Sequence, residues 1–161
     1  METRIEQEKT GGSELASRIR ECFALQGQDL RTYSPLTLAF LGDGVYDLVI
    51  RTILVEKGNC SANKLHREKS AVVKAASQAK MAEALLPELT AEELAVYKRG
   101  RNAKSVTVPK NAEISDYRKA TGFEALMGYL YLKDETERIF EDFVISLVSS
   151  FFIPMISSSI L

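Results

Sequence analysis

One segment constrains this chain more than any other: residues 34–58, which read SPLTLAFLGDGVYDLVIRTILVEKG. Ser34 followed by Pro35 has the form of an N-cap with proline at the first helical position, where a missing N–H costs no intrahelical bond. Gly58 supplies the stop. Between them the spacing predicts one long helix, and apolar side chains fall on nearly every side of it: Leu36, Leu38, Phe40, Leu41, Val45, Leu48, Val49, Ile50, Ile53 and Leu54. A helix without a polar face must be central to a core or form an interface. No alternating run of strand length competes with helix anywhere in the chain, and no internal repeat is present, so the predicted fold class is all-α.

The remaining segments supply helices to pack around it. With 161 residues, 45% of them hydrophobic, the chain can bury one real core and is too short for two independent domains. Ser61 is placed to cap a short helix through Glu68, and Ser70 to cap a second, AVVKAASQAKMAEALL, halted at Pro87. Thr90-x-x-Glu93 has the form of a capping box opening a helix that runs into Lys98-Arg99-Gly100. Periodicity is lost from Gly100 to Ser115, where Pro109 and Asn111 mark a loop. Two further helices are predicted, Asp116 to Lys133 and Asp134 to about Phe152, while Glu14 to Leu25 has the pattern of a short amphipathic helix. The expected organisation is an N-terminal extension over residues 1–33, a helical domain over 34–152 and a tail over 153–161.

A formal charge of −1 leaves no global basic field, so any nucleic-acid surface must be local. Cys22 and Cys60 lack the spacing of a zinc site or a disulfide scaffold, which fits a reducing, cytoplasmic setting. The first residues, METRIEQEKTGG, carry no apolar stretch of a secretory signal and are too acidic for a transit peptide. Residues 143–161 hold no charge, but six serines and Pro154 interrupt them, so the expectation is a closing helix and an irregular tail, not a membrane anchor.

Three places carry chemistry. Asp43 stands between Gly42 and Gly44 in mid-helix, where each glycine costs about 1 kcal/mol relative to alanine. Small residues there admit a metal, a substrate phosphate or another backbone, and Asp47 shares the face one turn on. Two readings remain open at this stage: a ligand site, or a close helix crossing beside two solvated aspartates. Glu124 is enclosed in sequence by Phe123, Ala125, Leu126, Met127 and Tyr129. A carboxylate in such surroundings needs a partner or a cation unless it faces outward, and Mg²⁺ suits one or two carboxylates plus water. From Lys98 to Lys110 lie five of the chain's 21 Lys and Arg (Lys98, Arg99, Arg101, Lys104, Lys110) and none of its 22 acids. With Asn102, Ser105 and Thr107 this mixture suits phosphate and ribose contacts, the alternative being a solvated surface loop. His66 is the single histidine and has no nucleophile beside it, so packing or substrate contact is expected of it; Tyr129 and Tyr131 read as core.

Taken together, LAFLGDGVYDLVIR, KLHREKS, KRGRNAKS and YRKATGFEALMGYLYL resemble, in order, the motifs of the Mini-III branch of the ribonuclease III family. The likeness covers roughly Leu36 to Lys133, and the chain has no room after it for a separate double-stranded-RNA-binding domain. The resemblance maps the family's signature aspartate to Asp43 and a later glutamate to Glu124. The signature glutamates fall at Leu36 and Ala39 and a later aspartate at Thr121, a loss that resembles the Mini-III pattern.

What the resemblance implies is a single ribonuclease III-like helical domain that forms a two-fold homodimer and hydrolyses double-stranded RNA with Mg²⁺-activated water, leaving 5′-phosphate and 3′-hydroxyl ends. Asp43 and Glu124 would be catalytic and hold the metal, with Asp47 as an outer or neighbouring ligand. Arg99, Arg101, Asn102, Lys104, Lys110 and His66 would meet RNA, and Phe40 and Leu41 would lie at the dimer contact. The substrate class of the branch is large-subunit (23S) ribosomal RNA precursor, with a ribosomal protein as a possible presenter of the substrate. The alternative is a catalytically reduced domain that binds structured RNA or ribosomal particles without cutting, and a third reading is a helical protein-interaction module.

Overall fold

The computed structural model describes residues 14–104, 110 and 113–147. In chain order these form α1 (Leu15–Cys22), a 3-10 turn (Leu30–Thr32), α2 (Pro35–Glu56), α3 (Ala62–Val72), α4 (Ala75–Leu85), a second 3-10 turn (Leu86–Glu88), α5 (Ala91–Asn102), α6 (Ile114–Leu132) and α7 (Thr136–Leu147). Among the described residues there is no strand.

The centre of the fold is α6, packed most extensively against α2 and then against α5 and α4. Glycine brings two of these backbones into contact with it. A methyl group on Gly42 would lie 1.7 Å from the Glu124 carbonyl oxygen, and one on Gly128 would lie 2.0 Å from that of Leu38. On the α5 side, a methyl on Gly122 would sit 2.8 Å from the Tyr97 carbonyl oxygen. Around these crossings the core collects Leu38, Tyr46, Met81, Leu85, Tyr97, Phe123, Leu126, Met127 and Leu130, all nearly or fully buried. The Tyr46, Phe123 and Phe143 rings complete it with centroids 5.6–6.2 Å apart.

Several local signals act as read. The Ser34 hydroxyl accepts from the Thr37 N–H with Pro35 at the first turn, Ser61 caps α3 through the Lys64 N–H, and Thr90 and Glu93 form both halves of a capping box. Other boundaries differ. Ser70 starts no helix: its hydroxyl bonds back to the His66 carbonyl at 2.8 Å, α3 continues to Val72, and α4 begins after Lys74 without a side-chain cap. Gly100 does not end α5, because it is the point where α5 presses on α6; the helix runs on to Asn102. The charged stretch therefore starts as helix, and the predicted loop begins only after Asn102.

The Glu14–Leu25 pattern becomes α1, which is docked onto the corner between α6 and α7. Ser17 donates to Asp134 at 2.8 Å, Arg20 pairs with the same carboxylate, and Asp134 adopts the left-handed conformation (φ 58°) of a helix-terminating residue. Of the uncharged C-terminal stretch, residues 148–161 lie outside the described residues. Among those described, no helix is long and apolar enough to cross a membrane.

Candidate active site

Because Gly42 holds α2 against the backbone of Glu124, the next residue, Asp43, is presented at the edge of the same crossing. Asp43 is exposed and Glu124 is partly buried. Burial and then the charge of Asp43 push the Glu124 carboxyl up to about 7. That coupling places the two carboxylates within electrostatic reach of each other, from two different helices. Tyr46, fully buried one turn after Asp43, donates its O–H to the Val72 carbonyl at 2.8 Å and touches the Met81 sulfur at 3.4 Å; burial and the neighbouring Glu124 raise its phenol. From α4, the almost completely buried Gln78 acts against that rise and favours the ionised Glu124 carboxylate.

This donor set fits a hard divalent cation. All the offered atoms are oxygens, the two carboxylates repel each other, and a bound cation relieves that repulsion. Among the described residues no group of three His, Cys, Asp or Glu side chains converges as a metal cage. A site of two carboxylates completed by water is the form Mg²⁺ accepts.

Asp47 is engaged elsewhere. Its Oδ1 pairs with Lys69 Nζ from α3 at 2.7 Å, and its Oδ2 with Arg51 Nε at 2.5 Å. Burial works to raise its carboxyl, but the hydrogen bonds from Lys69 and Arg51 outweigh that and hold it below the ordinary value. Thr121, at the position of the family's later aspartate, is buried and turns its hydroxyl back to the Tyr117 carbonyl at 2.9 Å. His66 is exposed and lines a groove of about 230 Å³ between α2 and α3, shared with Arg51 and Lys69.

The cationic stretch is exposed at Lys98, Arg99, Asn102, Lys104 and Lys110. Arg99 donates to the Tyr33 carbonyl at 3.1 Å, and Arg101 lies 5.9 Å from the Tyr97 ring centre with its Nε 3.3 Å from the Asn102 side-chain oxygen. Ser105 and Thr107 lie outside the described residues. Phe40 is 83% exposed, whereas Leu41 is partly covered and lines a cavity of about 450 Å³ with Ala16, Leu30 and Tyr131.

Two site neighbours escape a reading of the sequence. Gln78 had a usable signal, a polar residue at helical spacing from Met81, Ala82 and Leu85 on a face otherwise apolar. Lys69 had none, because its meeting with Asp47 depends on how α3 folds back on α2.

Known proteins resemble this chain across the same helices. The family model for the ribonuclease III domain matches residues 36–135. A Mini-ribonuclease 3 of Clostridium tetani is 49% identical over 115 residues, covering 71% of this chain and 76% of that protein. A Mini-ribonuclease 3 of Brevibacillus brevis is 51% identical over 114 residues, covering 71% and 85%. Among solved structures, a crystal structure of a protein from Fusobacterium nucleatum superposes with a TM-score of 0.70 at 31% identity, covering 76% of this chain and 94% of that one. With a domain match that spans the crossing helices and relatives alike over most of their own length, the chain belongs to the ribonuclease III family of endoribonucleases, in its Mini-ribonuclease 3 branch.

Proposed function

We propose that this protein hydrolyses double-stranded RNA in the cytoplasm as a Mg²⁺-dependent homodimer, and that its substrate is a stem of large-subunit ribosomal RNA precursor. The observation that carries the reading is the meeting of Asp43 and Glu124 across the Gly42 contact. These two side chains are the proposed ligands of the metal. Bound there, Mg²⁺ supplies positive charge for the scissile phosphate and a water of lowered pKa.

The chain's own residues do the rest. Asp43, at the exposed rim, and Glu124, beneath it, fix where the phosphate and the attacking water meet. Water adds to phosphorus and the P–O3′ bond breaks, leaving a 5′-phosphate and a 3′-hydroxyl. Asp47, whose oxygens face Lys69 and Arg51, contributes from outside the ligand set by holding these cations one turn from Asp43. Arg99, Arg101, Asn102, Lys104, Lys110 and His66 are proposed to grip phosphate and ribose, which orients a duplex without reading its sequence.

A stripe of exposed apolar residues on α2, Leu36, Phe40 and Leu48, supports an isologous dimer in which α2 meets its symmetry mate and Leu41 lies just beneath. Two copies then bring one site to each strand. Presentation of the substrate by a ribosomal protein belongs to the same reading.

The test is incubation of the purified protein with an end-labelled RNA duplex, with and without Mg²⁺. Metal-dependent cuts on both strands are expected. Binding without cleavage would favour the reduced domain, a reading supported by the two-carboxylate site and by the inward-turned Thr121.

A further inference from the structure

We infer that Arg51 and Lys69, with His66 beside them, form a second RNA-backbone site on the α2–α3 face, which takes a phosphate neighbouring the one being cut. The inference rests on the reading of this protein as a nuclease for double-stranded RNA. It starts from a charge that does not cancel. Two cations converge on one carboxylate: Lys69 Nζ lies 2.7 Å from Asp47 Oδ1, and Arg51 Nε lies 2.5 Å from Asp47 Oδ2. The cluster therefore keeps one positive charge in excess. Both Asp47 oxygens are occupied, yet the donors are not exhausted. Among the described residues Arg51 is bound through Nε alone, which leaves its two terminal nitrogens for another acceptor. The Lys69 ammonium has three donors and gives one of them to Asp47.

The groove beside this pair has the chemistry of a nucleotide-backbone site. It measures about 230 Å³ and combines Arg51, Lys69 and His66 with the apolar Leu54 and Leu65, and no acid lines it. The His66 ring is exposed and has no hydrogen-bond partner among the described residues. A phosphodiester brings one negative charge, so the two cations, Asp47 and a bound phosphate sum to zero. The apolar walls suit the carbon face of a ribose. Asp47 holds both long side chains in place before RNA arrives, which lowers the entropy lost on binding. Helix geometry gives the location. Asp43, Asp47 and Arg51 follow at four-residue steps on one face of α2, so about 6 Å of helix rise separates Asp43 from the Asp47 cluster. The groove continues from there toward Val55, away from Asp43. A strand whose scissile phosphate lies at Asp43 thus carries its neighbouring phosphate over Arg51 and Lys69.

The experiment uses the full chain and a short RNA duplex without divalent metal, so that binding is read apart from cleavage. Fluorescence anisotropy across a salt series gives the affinity of the wild type, of Asp47→Asn, and of a double variant joining Arg51→Gln to Lys69→Gln. The double variant should bind roughly 10-fold more weakly, the scale of one lost charged hydrogen bond. Its log–log salt slope should fall by a little under one unit. Lys69→Arg, which keeps the charge, should bind as wild type does. Asp47→Asn separates recognition from bracing, because it breaks the same ion pairs and spares the cations: it should melt lower and keep its duplex affinity. Ion pairs that only brace α3 on α2 would lower the melting temperature from either side and leave the RNA affinity of the folded protein alone. Wild-type affinity and slope in the folded double variant overturn the inference and leave the duplex as substrate, and so does an equal loss of affinity in Asp47→Asn. Should the double variant not fold, Arg51→Gln, at the more exposed of the two cations, decides by the same affinity and slope. A wild-type chain that neither binds nor cuts a duplex removes the underlying reading, and this site with it.

Discussion

Replacing Gly42 by alanine puts one methyl group where two helix backbones already touch. The added carbon would lie 1.7 Å from the Glu124 carbonyl oxygen and 2.8 Å from the Gly128 nitrogen. Both are backbone atoms, so no side chain can rotate out of the way, and α2 must withdraw from α6 by more than 1 Å. The withdrawal opens gaps along the most extensive helix contact of the fold, beside Leu38, Tyr46 and Leu126. Dispersion is lost steeply at such separations. The expected loss is above about 3 kcal/mol, the upper end of overpacking effects, which for a domain of this size lowers Tm by roughly 6–12 °C. Gly44→Ala is the control. Among the described residues nothing lies within 4 Å of its methyl, so within one protomer only helix propensity acts, up to about 1 kcal/mol in favour of alanine. Circular dichroism melts and urea titrations at one protein concentration measure both. A Gly42→Ala protein within about 1 kcal/mol of wild type would refute the claim that this glycine exists for the helix crossing.

Asp43→Asn and Glu124→Gln should each lower duplex cleavage by orders of magnitude with folding and RNA binding largely kept, and Asp47→Asn less; near-normal Mg²⁺-dependent cleavage in both of the first pair would remove the proposed site. Glu124 and the fully buried Asp142, 3.5 Å from Arg138, are both pushed up to about 7, chiefly by burial. The folded protein thus holds these protons more tightly than the unfolded chain, so metal-free stability should be greatest near pH 4 and fall as pH rises to about 7. Glu124 alone contributes on the order of 3 kcal/mol; a Glu124→Gln variant with the wild-type pH slope would contradict this. Phe40→Asp and Leu41→Asp should favour monomers by placing an unpaired charge in an apolar contact, and unchanged dimer mass for both by light scattering would rule out the α2 interface. Removing Arg99, Arg101 and Lys104 together should weaken duplex binding and flatten its salt dependence by a little under one unit of log–log slope per lost phosphate contact; wild-type affinity and slope would reduce the stretch to a solvated surface.

Local chemistry was legible in the sequence wherever neighbours in the chain decide the outcome. Ser34 with Pro35, Ser61, and Thr90 with Glu93 each cap a helix from within three residues of the bond they make, and the same short range exposed the all-round apolar character of α2. Asp43 and Glu124 were likewise readable as candidates, one from its glycines and the other from its apolar surroundings. What sequence left undecided was the purpose of the glycines. Gly42 serves the crossing, Gly44 faces open space, and Gly100 continues a helix it was expected to end. The capture of Asp47 by Lys69, the influence of the buried Gln78 on Glu124 and the docking of α1 on Asp134 were equally out of reach. Each joins residues far apart in the chain, and periodicity within one helix says which face is apolar but not which neighbour will cover it. Only the packing of α2, α4 and α5 around α6 selects those partners, because close approach at a glycine fixes the position of everything one turn to either side.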